Sequence, residues 1–187
     1  MLKKMRGFTL IEMLIVVAII GILAALLIPN AMSALQKAKQ KGTVKDINTI
    51  ATAMLDYATD HGNVPAHSKQ ITGNTDAIVT SLQGMYVKVF PQKDQWGNYF
   101  VVNTRDEITS DFGIQLAQGE QAGADDFVVG SYGRDGIPTS DYQYDPSDPS
   151  KGLYEVSTMK DFNNDIANWN GNLVVGPKTL GGGTSGT

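Results

Sequence analysis

At 187 residues the chain has room for one domain of ordinary size and some additional length, not for two large domains. A formal charge of −4, from 15 basic and 19 acidic residues, lacks the basic surplus of a dedicated nucleic-acid binder, so no nucleic-acid partner is expected. Cysteine is absent, which excludes disulfide frameworks, thiolate zinc sites and cysteine nucleophiles, and the only histidines, His61 and His67, leave little room for histidine-rich metal chemistry.

The first predicted element is a membrane-length helix. From Met13 to Ile28 every position is apolar or glycine, and extending back to Phe8 adds only Thr9 and Glu12 as polar interruptions. As a helix, Phe8 to Ile28 would span about 32 Å, the hydrocarbon thickness of a bilayer. Lys3, Lys4 and Arg6 precede it with no acid, the pattern that keeps an N-terminus cytoplasmic. Three readings compete for the segment. It is a secretory signal cut near the small residues Ala31-Met32-Ser33, a plain single-pass anchor, or a helix with a task of its own. Glu12 favours the third, because a charge at a helix centre costs about 2.5–3.5 kcal/mol on insertion scales and an acid at membrane depth marks function. Nearer the cytoplasmic end, the same side chain can also reach water.

Lys3-Lys4-Met5-Arg6-Gly7-Phe8-Thr9-Leu10-Ile11-Glu12 resembles the processing site of class III prepilins, the family of type IV pilins and of the pseudopilins of type II secretion. The resemblance implies cleavage between Gly7 and Phe8 by a prepilin peptidase that also methylates the new N-terminus. It implies that the apolar helix stays in the product. It also gives Phe8 and Glu12 a part in assembly, Glu12 meeting the Phe8 amine of a neighbouring subunit. Cleavage would remove three basic residues and take the net charge from −4 to −7.

Pro29 ordinarily breaks or kinks a helix, yet helical spacing resumes beyond it. Ala31, Ala34, Leu35 and Ala38, then Val44, Ile47, Ile50, Ala51, Met54, Leu55 and Ala58, return at helical intervals with Lys37, Lys39, Lys41, Lys45 and Asp46 on the polar faces. One helix is therefore expected from about Phe8 to Asp60, softened at Pro29 and at Gly21 and Gly42. His61-Gly62 should stop it, with Gly62 in the left-handed cap position. Residues Gly62 to Gln83 read as loop with a short helix at Asp76–Leu82. Strand-like runs follow at Tyr86–Phe90, Tyr99–Asn103, Phe127–Gly130 and Leu173–Val175. The expected organisation is a leader at 1–7, a transmembrane or filament-core helix at 8–29, its amphipathic continuation at 30–61, a globular head at 62–180 and a tail at 181–187 that is flexible by composition. The fold class is α+β, a long N-terminal helix packed on a small antiparallel sheet with C-terminal loops, as in type IV pilins.

No catalytic motif stands in a workable context, and no enzyme is expected. Gly181, Gly183 and Gly186 match G-x-G-x-x-G, but no helix is expected after them to hold a pyrophosphate. Gly130-Ser131-Tyr132-Gly133 lacks the first glycine of a nucleophile elbow, whose place Val129 takes.

Two further stretches narrow the resemblance to the major pseudopilins of type II secretion. Tyr86 to Tyr99 carries Pro91, a polar spacer and Asp94-Gln95-Trp96-Gly97-Asn98-Tyr99, similar to that family's D-x-W-G-N-x-Y with the last tyrosine one residue closer. Its physical sense is a turn, with Asp94 and Asn98 bonding local backbone, Gly97 at positive φ and Trp96 covering an edge of the core. Ser131-Tyr132-Gly133-Arg134-Asp135-Gly136 and the later Asn164-Asp165-Ile166-Ala167-Asn168-Trp169 resemble the motifs that flank the family's calcium loop. By that resemblance Asp135 and Asp165 match acidic ligands of a calcium ion and Tyr132 a carbonyl ligand. Residues 136–164, with Tyr142, Tyr144, Pro146 and Pro149, make this loop longer than the family's. From Asp125 to Asp165 nine acids stand against three bases, a net of −6 that either solvent or a cation neutralises. Ca²⁺ accepts oxygen ligands from distant segments in flexible geometry, so both readings stay open here.

The resemblance as a whole implies a single-pass inner-membrane protein of bacteria, N-terminus cytoplasmic and head periplasmic. It would assemble with its own copies into a pseudopilus that drives type II secretion, in contact with minor pseudopilins and the inner-membrane secretion platform. The alternative is a type IV pilus subunit for adhesion, motility or DNA uptake.

Overall fold

The computed structural model describes residues 7–139 and 141–178. The leader expected at 1–7, Gly7 apart, and the tail expected at 181–187 lie outside the described residues. Helix α1 runs from Leu10 to His61 and passes through Gly21, Pro29 and Gly42 without a break in its assignment. Beside Pro29, the Asn30 side-chain amide donates to the Leu26 carbonyl at 3.5 Å. At the other end Gly62 takes φ +73°, and its N–H closes on the Ala58 carbonyl at 2.8 Å, the left-handed cap that the spacing predicts.

The chain divides into two compact units between Lys37 and Ala38. In the first, α1 contains a window long and apolar enough to cross a membrane, none of it buried. In the second, Gln40, Thr43, Val44, Ile47, Ile50, Ala51, Ala53 and Met54 are the buried positions of α1, a stripe at helical spacing. This unit holds α2 (Ala77–Leu82) and six strands: β1 (Ser68–Gln70), β2 (Val101–Thr104), β3 (Phe127–Ser131), β4 (Leu153–Tyr154), β5 (Ile166–Trp169) and β6 (Asn172–Pro177). They form one sheet in the order β1-β2-β3-β5-β6-β4. All neighbours are antiparallel except β4 and β6, which run parallel.

Successive side chains of a strand take opposite faces, and here both faces are dry. Val102, Phe127, Val129 and Ile166 join Phe100, the α1 stripe and Ile78 and Leu82 of α2 in one core. Val101, Val128 and Ala167, the alternate positions, join Ile108, Phe112, Ile114 and Val175 in a second. Each large side chain so buried contributes about 1.5–3 kcal/mol, so these two clusters hold the unit together.

Four strand expectations meet the structure differently. Phe127–Gly130 and Leu173–Val175 lie in β3 and β6. Tyr99–Asn103 starts as a strand only at Val101, because the Phe100 N–H donates to the Gln92 carbonyl at 3.0 Å. Tyr86–Phe90 is no strand: Gly84, at φ +97°, turns the chain directly after α2, and the N–H groups of Tyr86 and Val87 both close on the Leu82 carbonyl at 3.1 Å. Strands β1, β4 and β5 were not expected. The last had a legible signal in Asn170-Gly171, both at positive φ (48° and 90°), the two-residue hairpin turn that joins β5 to β6.

Candidate functional site

The N-terminal end of α1 is closed by its own side chains. The Thr9 N–H and the Thr9 hydroxyl each donate to Glu12 Oε2 at 2.8 Å, and the Glu12 N–H returns a bond to Thr9 Oγ1 at 3.3 Å. This is a capping box, which satisfies donors that the first helical turn otherwise leaves open. Its signal in the sequence is Thr9-Leu10-Ile11-Glu12, a threonine followed three residues later by a glutamate. Phe8 is 82% exposed. A Cβ at Gly7 would meet nothing within 4 Å, so packing of this chain does not require glycine there.

The second constellation is built on a turn. Asp94 Oδ1 accepts the N–H groups of Trp96 and Asn98, both at 2.9 Å, and the Asp94 carbonyl accepts the Gly97 N–H at 3.1 Å. Gly97 sits at φ +99°, as the turn requires. Trp96 packs on the α1 core, half-buried. The Asn98 side chain corrects the expectation of a local bond: it donates to the Gly133 carbonyl at 2.8 Å. Asp94 Oδ2 accepts the Ser131 hydroxyl at 2.7 Å, and Ser131 Oγ accepts the Gly133 N–H at 3.1 Å. The turn and the Ser131–Gly136 loop are thus one unit.

That loop lies directly on the segment before β5. Gly133 has φ +68°, and a Cβ there would fall 2.6 Å from the carbonyl oxygens of Asn163 and Asn164. The Arg134 N–H donates to the Phe162 carbonyl at 2.8 Å. The two motifs flanking residues 136–164 therefore meet through their backbones.

Asp165 is the unusual member of this meeting point. It is 2% exposed; its Oδ2 accepts the Thr139 N–H at 3.0 Å, while its Oδ1 is buried with no partner, as is Oδ1 of Asn163. Burial, opposed by the Thr139 bond and reinforced by the charges of Asp135 and Asp111, pushes the carboxyl up to about 7. Asp135 is exposed, its Oδ1 accepting the Ile137 N–H at 3.1 Å. Tyr132 is half-buried and donates its hydroxyl to Asp111 Oδ1 at 2.9 Å; burial first, then this bond, raise its pKa.

Three other acids of the stretch are satisfied locally. Asp145 pairs with Lys151 at 2.6 Å, Asp148 accepts the Ser150 N–H at 3.3 Å, and Asp161 takes the N–H groups of Ser157 and Thr158 at 2.8 and 2.6 Å. A solvated loop accounts for these, but not for Asp165. Among the described residues no three of His, Asp and Glu converge to hold a metal. A cation here would draw on carbonyl and amide oxygens as well, which suits an ion that takes 6–8 oxygen ligands.

Two family models match the chain, together reaching from residue 2 to residue 147. Residues 2–28 match the family model of the prokaryotic N-terminal methylation motif, and residues 30–147 match that of type II secretion system protein G. The type II secretion system core protein G of Vibrio cholerae is 35% identical over 135 residues, covering 65% of this chain and 89% of that protein. The protein of the same name from Escherichia coli K12 is 33% identical over 133 residues, 67% of this chain and 90% of its own. That of Pseudomonas aeruginosa is 33% identical over 146 residues, 74% and 92%. No solved structure matches the chain.

Proposed function

The chain belongs to the type II secretion system protein G family, the major pseudopilins, and on that footing we propose how it works. It enters the inner membrane through the first half of α1, is cut after Gly7 and methylated on Phe8, and stacks that helix with other copies into a periplasmic filament that drives secretion. Minor pseudopilins and the inner-membrane secretion platform are its partners.

The observation that carries this reading is the bare apolar helix. Every large apolar side chain from Phe8 to Ile28 is 46–82% exposed, on all sides of the helix. Soluble monomers rarely expose contiguous apolar patches beyond a few hundred Å². Lipid covers such a surface before assembly, and neighbouring copies of the same helix cover it afterwards. Glu12 guides the exchange by meeting the Phe8 amine of the next subunit. Its capping bonds leave it able to do so, since both Thr9 donors end on Oε2 and a carboxylate has about four acceptor positions.

Calcium is the second part of the proposal. The carboxylates of Asp135 and Asp165 and the Tyr132 carbonyl would hold it, and the unpartnered Oδ1 of Asp165 is the atom that fits a cation. The ion would supply positive charge to a stretch of net −6 and tie the 131–136 loop to the 162–165 segment. Magnesium, which demands near-ideal octahedral geometry and dehydrates reluctantly, suits such a site less.

Mass spectrometry of the membrane-extracted protein tests the processing step. The expected product starts at N-methylated Phe8, and cells lacking prepilin peptidase retain the leader. A mature start at Ala34 would identify an ordinary secretory signal and remove the basis for assembly.

A further inference from the structure

We propose that Asp111 is a positioning residue of the cation site, an inference that rests on the calcium reading above. No motif announces it. Asp111 follows the 3-10 turn Arg105–Thr109, in a segment that covers the face of the sheet opposite α1.

The backbone here is bent in an unusual way. Phe112 has φ +61° and Gly113 φ +58°, two left-handed residues in succession. For an aromatic residue this conformation costs about 1–3 kcal/mol and persists only where the surroundings impose it. They do so here. The Phe112 ring, 3% exposed, lies on Gly130 of β3 so closely that a Cβ at Gly130 would fall 2.4 Å from its Cζ. The same ring stands 5.3 Å from that of Tyr132. The strained turn is thereby seated on β3, with Asp111 beside Tyr132.

Both Asp111 oxygens are then used. Oδ1 accepts the Tyr132 hydroxyl at 2.9 Å, and Oδ2 accepts the Asn103 side-chain amide at 2.8 Å. Tyr132, whose carbonyl is the expected ligand, is thus held at its ring by Asp111 and Phe112. Independently, the nearly fully buried Asp165 has an unpartnered Oδ1. With both oxygens engaged by Tyr132 and Asn103, Asp111 is assigned a positioning role and not that of a ligand. It acts by fixing Tyr132 and by adding one negative charge, which attracts a divalent ion and repels Asp165 when the ion is absent.

Those two actions have opposite signs, and Asp111→Asn separates them. The asparagine keeps an acceptor for Tyr132, and Asn103, whose Oδ1 is buried and unpartnered, can turn its amide to accept the new N–H. Calcium binding to the full chain in detergent micelles, titrated with CaCl2 by calorimetry, should weaken about tenfold, because affinity follows the charge around the ion. The melting temperature in chelator, read from tryptophan fluorescence, should stay the same or rise. Tyr132→Phe, which keeps the charge and loses the bond, should weaken binding by a smaller factor. Affinities of Asp111→Asn and of Tyr132→Phe that both lie within twofold of wild type overturn the proposal. So does a weakened affinity accompanied by a drop in the ion-free melting temperature, which marks a merely structural role. A wild-type chain that binds no calcium overturns the calcium reading itself, and is told apart because it precedes any comparison of variants.

Discussion

Glu12→Gln should leave the head folded and the leader cleaved, yet abolish filament formation. The glutamine is chosen because it separates the duty Glu12 has in the structure from the one proposed for it. One is local: in the capping box its Oε2 holds the Thr9 N–H and hydroxyl, and glutamine fills that position nearly as well. The other is the proposed pairing with the Phe8 amine of a neighbour, which needs the negative charge. Leaving one charge of a buried pair uncompensated costs about 3–5 kcal/mol, or roughly two to three and a half orders of magnitude in association. Glu12→Ala loses both duties. Filament yield after shearing, set against cleavage measured by mass, separates the outcomes. Normal assembly of the glutamine variant with failure of the alanine variant would reduce Glu12 to a helix cap.

Calcium should raise the melting temperature of the head by roughly 10 °C at a hundredfold excess over Kd. An ion that binds only the folded state adds RT ln(1 + [Ca²⁺]/Kd), about 2.7 kcal/mol at that excess, and a domain of this size gains a few degrees per kcal/mol. Both tryptophans, Trp96 and Trp169, lie in the second compact unit, so their fluorescence reports on the head alone even in the full chain. Asp165→Asn should abolish the rise. It should also raise stability in chelator, because it removes a buried carboxylate whose Oδ1 has no partner while a side-chain oxygen remains for the Thr139 N–H. Magnesium should shift the curve little. Identical melting with and without chelator would leave the solvated loop as the whole explanation of the acidic stretch.

What was legible in the sequence was whatever depends on neighbours along the chain. The buried stripe of α1 shows in the spacing of Val44, Ile47, Ile50, Ala51 and Met54, and its end shows in Gly62. The Asp94–Asn98 turn shows in its residue types. Local reading failed where a single glycine overrules a pattern, as Gly84 does for the strand-like Tyr86–Phe90. It failed again where a strand is short and polar, as in Ser68–Gln70, which is exposed throughout and has no alternation to detect. The candidate site was half visible. Asp135 and Asp165 stand in recognisable strings, but the approach of their two segments depends on β3 lying beside β5, which no short window contains. Asp111 was invisible for the same reason. Its contacts with Asn103 and Tyr132 require β2 and β3 to be neighbours and Phe112 to adopt a left-handed backbone that its residue type disfavours.

Electron cryomicroscopy of material sheared from cells that overproduce the full chain with its secretion machinery tests the central claim most directly. The predicted result is a helical filament whose axis is filled by the apolar half of α1, Phe8 to Ile28, with the heads outside. Correctly processed chains that remain dispersed as monomers in the inner membrane, with no filament formed, would contradict it.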